Sequence, residues 1–397
     1  MASVPILDLR AQYRSIAAEV REAVSRVFET QRFILGPELE VLEKEIAALA
    51  GARRAIGCAS GSDAIVLAIA SLLPPREAPA ARGADPDRPE VVTVPFTFFA
   101  SAGSVVHAGA RPRFVDIEPE AYGMDPARVP AAITDRTVAV LPVHLFGQPC
   151  DLDAILRSAG RVPLVEDAAQ AIGARYRGPT ADRPARVVGS FGLIGCLSFF
   201  PTKNLGGAGD GGMILTSDEA LAERLLAMRV HGGRQMYHHE SVGWNSRLDE
   251  VQAAVLRVKL PHLASWSEAR GARAARYDTL LAEHGLVSRG LIFPPVRKPD
   301  REHVFHQYVV RVPKDGAGRG REDLRAALAS IGVTTGIYYP VPLHLQPCFS
   351  SLGHARGDFP VAERAAEEVL ALPIYPELTA DQQAYVVRGI ASHFGLA

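Results

Sequence analysis

The 397-residue chain is long enough to bury a large core without staples and to hold two or three compact units. Its 43 basic and 44 acidic residues leave no global field that would draw it to nucleic acid or an acidic membrane. The four cysteines, Cys58, Cys150, Cys196 and Cys348, are widely spaced, which argues against a structural zinc site or a disulfide framework and for a reducing compartment.

At the N-terminus, Asp8 and Arg10 interrupt the apolar run as no signal peptide would. The uncharged, mostly apolar stretch Val187 to Phe200 carries three glycines and is too short to span a bilayer, and a soluble, cytoplasmic protein is expected. Helical periodicity marks Tyr13 to Thr30 and, after the Gly36-Pro37 turn, Glu38 to Leu49. From Arg54 to about Leu215, short β-rich runs alternate with helical or loop segments: Ala55 to Ala59, Val91 to Val94, Arg113 to Asp116, Val138 to Val143, Pro163 to Glu166 and Leu197 to Phe200. That alternation predicts an α/β fold with a mainly parallel sheet and ligands beyond the carboxyl ends of its strands. Pro74 to Pro89 reads as an exposed insertion. Asn245-Ser246-Arg-Leu-Asp249 places a capping-box-like Ser and Asp before a helix that carries Leu248, Val251, Val255 and Val258 on one side and stops at Pro261. Trp266 to Leu281 predicts a long helix leading out of the sheet domain, Val304 to Val312 a strand and Arg321 to Ile331 a helix of a smaller C-terminal unit. The expected division is 1–262 for the large domain and 263–397 for the small one, with residues 1–35 packing on the latter.

Three strand ends carry chemistry. Gly61 and Ser62 follow a short apolar strand and open an unbroken apolar helix, a ready site for an anion at a helix start; Ser62 or Asp63 near the cap of an ordinary turn is the plainer reading. Asp167 ends the run Val162-Pro-Leu-Val-Glu-Asp167. Lys203, in Ser198-Phe-Phe-Pro-Thr-Lys203-Asn-Leu-Gly-Gly, sits where an apolar strand runs into a glycine-rich turn, and partial desolvation there favours a neutral, nucleophilic amine. A lysine for an aldehyde and a carboxylate for a ring nitrogen together suggest pyridoxal phosphate.

These segments, with Asn245-Ser-Arg-Leu-Asp-Glu-Val-Gln and Pro340-Val-Pro-Leu-His-Leu-Gln-Pro347, resemble the DegT/DnrJ/EryC1/StrS aminotransferases, and the resemblance runs from Ile6 to Leu378. It implies fold type I, with a mainly parallel seven-stranded sheet, a smaller C-terminal α/β domain, and a homodimer with shared active sites. By the same resemblance Lys203 forms the Schiff base with pyridoxal phosphate and shuttles the proton, and Asp167 partners the ring nitrogen. Gln170 lies near the ring hydroxyl, and Phe98 stacks on the ring, against the plainer reading of a core aromatic. Gly61, Ser62 and Ser198 contact the phosphate; Asn245 reaches the phosphate of the other subunit, or caps a helix, or both. Pyridoxamine phosphate is the implied intermediate form, glutamate the implied donor and a nucleotide-linked 3-keto or 4-keto sugar the implied acceptor.

Two positions depart from the family pattern. Leu193 stands where many relatives carry aspartate, and Tyr338 replaces a common histidine on the substrate side. His144, Tyr237, His238 and His306 are further candidates for substrate contact. His144 is equally a buried structural histidine, and Tyr237-His238-His239 lacks the carboxylate spacing of a metal site, so no metal is expected. Arg229, His231 and Arg234 either attract an anion or belong to a solvated loop. A dehydratase or deoxygenase of the same fold would carry histidine in place of Lys203, and a non-catalytic regulator is the other alternative. Neither nucleic acid nor membrane is an expected partner.

Overall fold

A computed structural model describes residues 3–74, 88–180, 184–235 and 237–396. Most of the predicted insertion at 74–89 lies outside the described residues. No helix among them is long and apolar enough to cross a membrane.

The central layer forms from two ladders. Strands β1 (Arg54–Cys58), β2 (Glu90–Thr93), β3 (Arg111–Phe114), β4 (Thr137–Val140), β5 (Val165–Asp167), β6 (Ile194–Ser198) and β7 (Gly212–Thr216) follow in chain order. One ladder has the order β1-β7-β6-β5 and the other β3-β2-β4. Parallel bridges from Val140 to Leu164 and from Val143 to Asp167 bring their edges together. The predicted strands thus appear within a few residues of their expected places, in a four-stranded and a three-stranded ladder. Strand β7 was not foreseen, because the glycine-rich sequence leading into it reads as turn. It pairs antiparallel with both β1 and β6 and supplies the exception in a mostly parallel arrangement.

Apolar residues on nearly every face of the helix Gly61–Leu72 explain its position. Ile65 to Ile69 are all buried, so it lies between the sheet and neighbouring helices rather than at the surface. A second core gathers Tyr277 and Leu281 of the long helix Leu263–Glu283 with β8 (Tyr308–Arg311), β9 (Val369–Leu372), Leu324, Leu328, Val386 and Ile390. The N-terminal segment divides its contacts. Val4 bridges to Val333 beside this second core, whereas the helix Leu9–Thr30 places Ala23 and Val27 against Ala254 of the helix Glu250–Lys259.

Caps sharpen two expectations: Asp63 does lie beside the cap of its helix, and of the expected Ser246 and Asp249 it is the aspartate that caps. Ser60, not Ser62 or Asp63, caps the helix Gly61–Leu72, its hydroxyl accepting from the Asp63 N–H at 3.1 Å. Asp249 caps the helix Glu250–Lys259, accepting from the Gln252 N–H at 2.9 Å, which leaves Asn245 and Ser246 outside the cap. Ser246 instead donates to the Asp63 carboxylate at 2.7 Å and accepts from the Ala59 N–H, tying this segment to the start of the Gly61 helix.

The helix Pro37–Ala50 has no cap of its own, since its N-cap is Gly36. Buried Glu250 substitutes, accepting N–H groups from Gly36, Glu38 and Leu39 at 2.8, 2.8 and 3.0 Å. A carboxylate at a helix start also meets the positive end of the dipole. Glu250→Ala is therefore expected to cost about 2–3 kcal/mol in urea unfolding, the range for a lost charged cap with buried donors left unmet; a loss below about 0.5 kcal/mol would show that water takes over these donors.

Candidate active site

Three strand ends converge because of one register. Gly212 pairs with Cys58 at the end of β1 and with Ser198 at the end of β6. A Cβ on Gly212 would lie 2.3 Å from the Ser60 backbone, and one on Gly61 would lie 2.6 Å from the Ser198 Cβ. Only glycines allow this approach, which sets the start of the Gly61 helix against Ser198. The N–H groups of Gly61 and Ser62 donate to no described residue, and Ser62 is exposed while its carbonyl accepts from Ser104 at 3.0 Å. Free amides, a helix dipole and the nearby Ser198 hydroxyl form an anion cradle.

Asp167, at the end of β5, is buried. Its carboxylate accepts from the Ser101 hydroxyl at 2.7 Å and the Ala169 N–H at 3.2 Å, but forms no ion pair with a described residue. Burial pushes its pKa up, against these hydrogen bonds and the charge of Lys203. Lys203 lies in the turn after β6, its N–H donating to the Phe200 carbonyl at 2.9 Å. Burial pulls its pKa down to about 8, opposed by the Asp167 charge. The neutral, nucleophilic amine is thus a far larger fraction near neutral pH than for a solvated lysine, although the ammonium still predominates at pH 7, and a buried carboxylate without a cationic partner among the described residues remains to meet a cationic ring.

Gln170 is held at both ends: its carbonyl accepts from the Phe146 N–H at 2.7 Å and its amide donates to the Tyr339 hydroxyl at 3.0 Å. Phe98 is 54% exposed, with its ring 5.9 Å from that of Tyr339, so it faces the cleft rather than the core. Asn204, next to Lys203, donates to the Val304 carbonyl at 2.9 Å and pairs with His306 Nδ1 at 3.3 Å, latching the lysine turn to the 304–306 segment. His306 and half-buried Tyr338 therefore stand beside the lysine turn, both lining one cavity with Thr202.

Other candidates lie apart. His144 is fully buried; its Nε2 faces Glu166 at 3.1 Å and its Nδ1 accepts from the Cys150 N–H at 3.0 Å, so both ring nitrogens are occupied by structure. That favours the structural reading over substrate contact. Arg229 is likewise buried, donating to Glu43 at 2.6 Å and to the Gly57 carbonyl, which removes it from any solvated anion site. Tyr237, 90% exposed, and exposed His238 lie on the small hairpin pairing Gly233–Gln235 with His238–His239, away from the residues around Lys203 within this chain. Asn245 is also exposed. Sequence reading missed Ser101, Asn204 and Tyr339; Asn204 and Tyr339 were legible as neighbours of singled-out residues, whereas Ser101 carried no signal.

The profile of the DegT/DnrJ/EryC1/StrS aminotransferase family matches residues 14–391. The chain is 48% identical over 394 residues to a pleiotropic regulatory protein of Geobacillus stearothermophilus, covering 99% of each chain. It is 41% identical to the UDP-N-acetyl-3-dehydro-alpha-D-glucosamine 3-aminotransferase of Acidithiobacillus ferrooxidans, covering 97% of this chain and 96% of that one. The crystal structure of S. venezuelae DesV in complex with a ketimine intermediate superposes with a TM-score of 0.88 at 42% identity, covering 99% of this chain and 98% of that one.

The depressed pKa of Lys203 has a direct test. In the cofactor-free protein, reductive methylation of Lys203 followed by peptide mass spectrometry should rise through a midpoint near pH 8. A midpoint near the ordinary lysine value of about 10.4 would show that the amine is solvated.

Proposed function

This chain belongs to the DegT/DnrJ/EryC1/StrS aminotransferase family, and from that premise we propose that it moves an amino group from glutamate to a nucleotide-linked 3-keto or 4-keto sugar. The observation that carries the proposal is the nearness of Lys203, its pKa drawn down to about 8, to a buried Asp167 that forms no ion pair with a described residue. The family depends on pyridoxal phosphate, which supplies an aldehyde for amine exchange and a ring that stores negative charge.

The residues of the cleft fit that group. Lys203 would supply the amine that holds the aldehyde, and its free amine would be the base that carries a proton to and from the donor carbon. Asp167 keeps a proton on the facing ring nitrogen, and the Ser101 hydroxyl holds the carboxylate in place for it. Gln170, oriented by the Phe146 N–H and Tyr339, lies toward the ring hydroxyl. Phe98 covers one ring face. The amides of Gly61 and Ser62 and the Ser198 hydroxyl bind phosphate, and exposed Asn245 reaches the phosphate site of a second copy in a homodimer. His306 and Tyr338 face the substrates, and Tyr237 and His238, on a surface hairpin, reach the substrates of the second copy in the homodimer. Residues 1–262 form the cofactor-binding unit and 263–397 the unit that closes over it.

The alternatives differ in what they need from Lys203. A dehydratase of this fold would not carry it. The name of the Geobacillus stearothermophilus relative supports a regulatory reading, which needs no amine chemistry. Adding glutamate to the loaded protein separates the two, because a shift of the cofactor absorbance reports amine exchange.

Lys203→Ala should lower transamination of a panel of nucleotide-linked 3-keto and 4-keto sugars by on the order of 10³-fold or more, measured as amino-sugar product, since it removes both nucleophile and base. Full activity in that variant would sink the assignment.

A further inference from the structure

Arg270 is 3% exposed on the inner side of the helix Leu263–Glu283. Its Nη1 donates to the carbonyls of Phe305, His306 and Ile374 at 3.1, 3.3 and 3.0 Å. Its Nε and Nη2 donate to no described residue, and no described carboxylate lies within ion-pair distance. Glu377 is near enough to feel the charge without pairing with it. A buried guanidinium held only by carbonyl dipoles keeps most of its charge uncompensated, a costly arrangement for a purely structural residue.

The cavity that this side chain lines explains where the compensation comes from. It is bounded by Ile6, Leu7, Thr202, His306 and Tyr338 among others, with an apolar wall at Ala371, Leu372 and Ile374. Thr202 precedes Lys203, and His306 is bonded to Asn204 on its other side, so the cavity adjoins the lysine turn. Asn204 uses its amide on the Val304 carbonyl, which leaves its oxygen to accept from His306 Nδ1. His306 stays neutral, because burial and then the Lys203 charge hold its pKa well below the ordinary value. The lining therefore offers one fixed cation, neutral donors and no anion.

We infer that Arg270 and this cavity form the receptor for a carboxylate of the amino donor, with the guanidinium fork receiving the planar group. The inference rests on the aminotransferase reading above. A planar carboxylate matches the unused Nε–Nη2 edge of the guanidinium better than a spherical anion, and the apolar wall strengthens the attraction by excluding water. The site adjoins the turn that carries the amine the donor must displace.

The test uses the cofactor-loaded protein and glutarate, a dicarboxylate without an amine. Calorimetry should show glutarate binding to the wild type, and glutarate should compete with glutamate in the cofactor absorbance change. Arg270→Gln should weaken glutarate at least about thirtyfold, the effect of removing one member of a buried charge pair, with cofactor content unchanged. If Arg270→Gln does not fold, Arg270→Lys, which retains a cation toward the carbonyls, should still weaken glutarate about tenfold through loss of the fork. Wild-type affinity for glutarate in a folded variant, or failure of glutarate to compete in the wild type, overturns the inference. So does a loss confined to binding of UDP, which would assign the arginine to the acceptor. Should no amino acid alter the absorbance while glutarate binding still depends on Arg270, the aminotransferase reading fails and the carboxylate site stands.

Discussion

Two adjacent carboxylates at the end of β5 govern the arrangement of the cleft. Strand alternation sends Glu166 and Asp167 to opposite faces. Glu166, fully buried, collects the N–H groups of Gly189, Phe191 and Gly192 at 2.8, 2.7 and 2.7 Å and faces Nε2 of His144 at 3.1 Å. Burial alone would raise its pKa, but His144 and the loop amides outweigh burial and hold it below the ordinary carboxylate range. Asp167 has two donors instead of four, and there burial wins. The satisfied carboxylate locks the 189–192 loop and the 143–150 segment around β5. Its neighbour, held on that rigid strand, keeps unsatisfied charge for a ligand.

The lysine turn is mounted with comparable care. The Phe199 N–H donates to the Gly211 carbonyl at 2.8 Å, and the Gly207 N–H returns to the Phe199 carbonyl at 2.7 Å. From the helix Glu250–Lys259, Gln252 accepts the Ala208 N–H at 2.7 Å and the Lys259 ammonium donates to the Gly206 carbonyl at 2.6 Å. That helix also caps the helix Pro37–Ala50 through Glu250 and receives the N-terminal helix on its outer side. One helix therefore joins the N-terminal elements to the turn that carries Lys203. Asn204 adds the link to the C-terminal segment, so the position of the reactive amine depends on both halves of the chain.

Desolvation decides the electrostatics of the cleft in each case. Lys203 and Asp167 attract one another, yet for both groups burial is the larger influence, moving the amine down to about 8 and the carboxyl upward. The same influence keeps His306 neutral. A cleft whose groups sit closer to neutrality than they would in water can exchange protons without a large change in solvation, a condition that suits proton transfer at carbon.

Much of this was legible in the sequence. The β-rich runs, their alternation with helices, and the placement of Gly61, Asp167 and Lys203 at strand ends follow from hydrophobic periodicity and turn chemistry, which act over a few residues. Motif resemblance carried the cofactor and the family because those segments keep their residue types in order along the chain. Tertiary structure decided what depends on distant partners. Strand β7 takes its place from pairing with β1 and β6, which no local pattern records. His144 and Arg229 look available in sequence but are consumed by Glu166 and Glu43, and Asp249 takes the cap that Asn245 and Ser246 seemed to offer. Ser101, distant in sequence from Asp167, becomes its partner only when β5 and the helix Ala100–Ala108 meet. Sequence alone could name the reactive types and their strand ends; charge state and pairing waited for the fold, because burial and long-range hydrogen bonds exist only once the chain has closed around them.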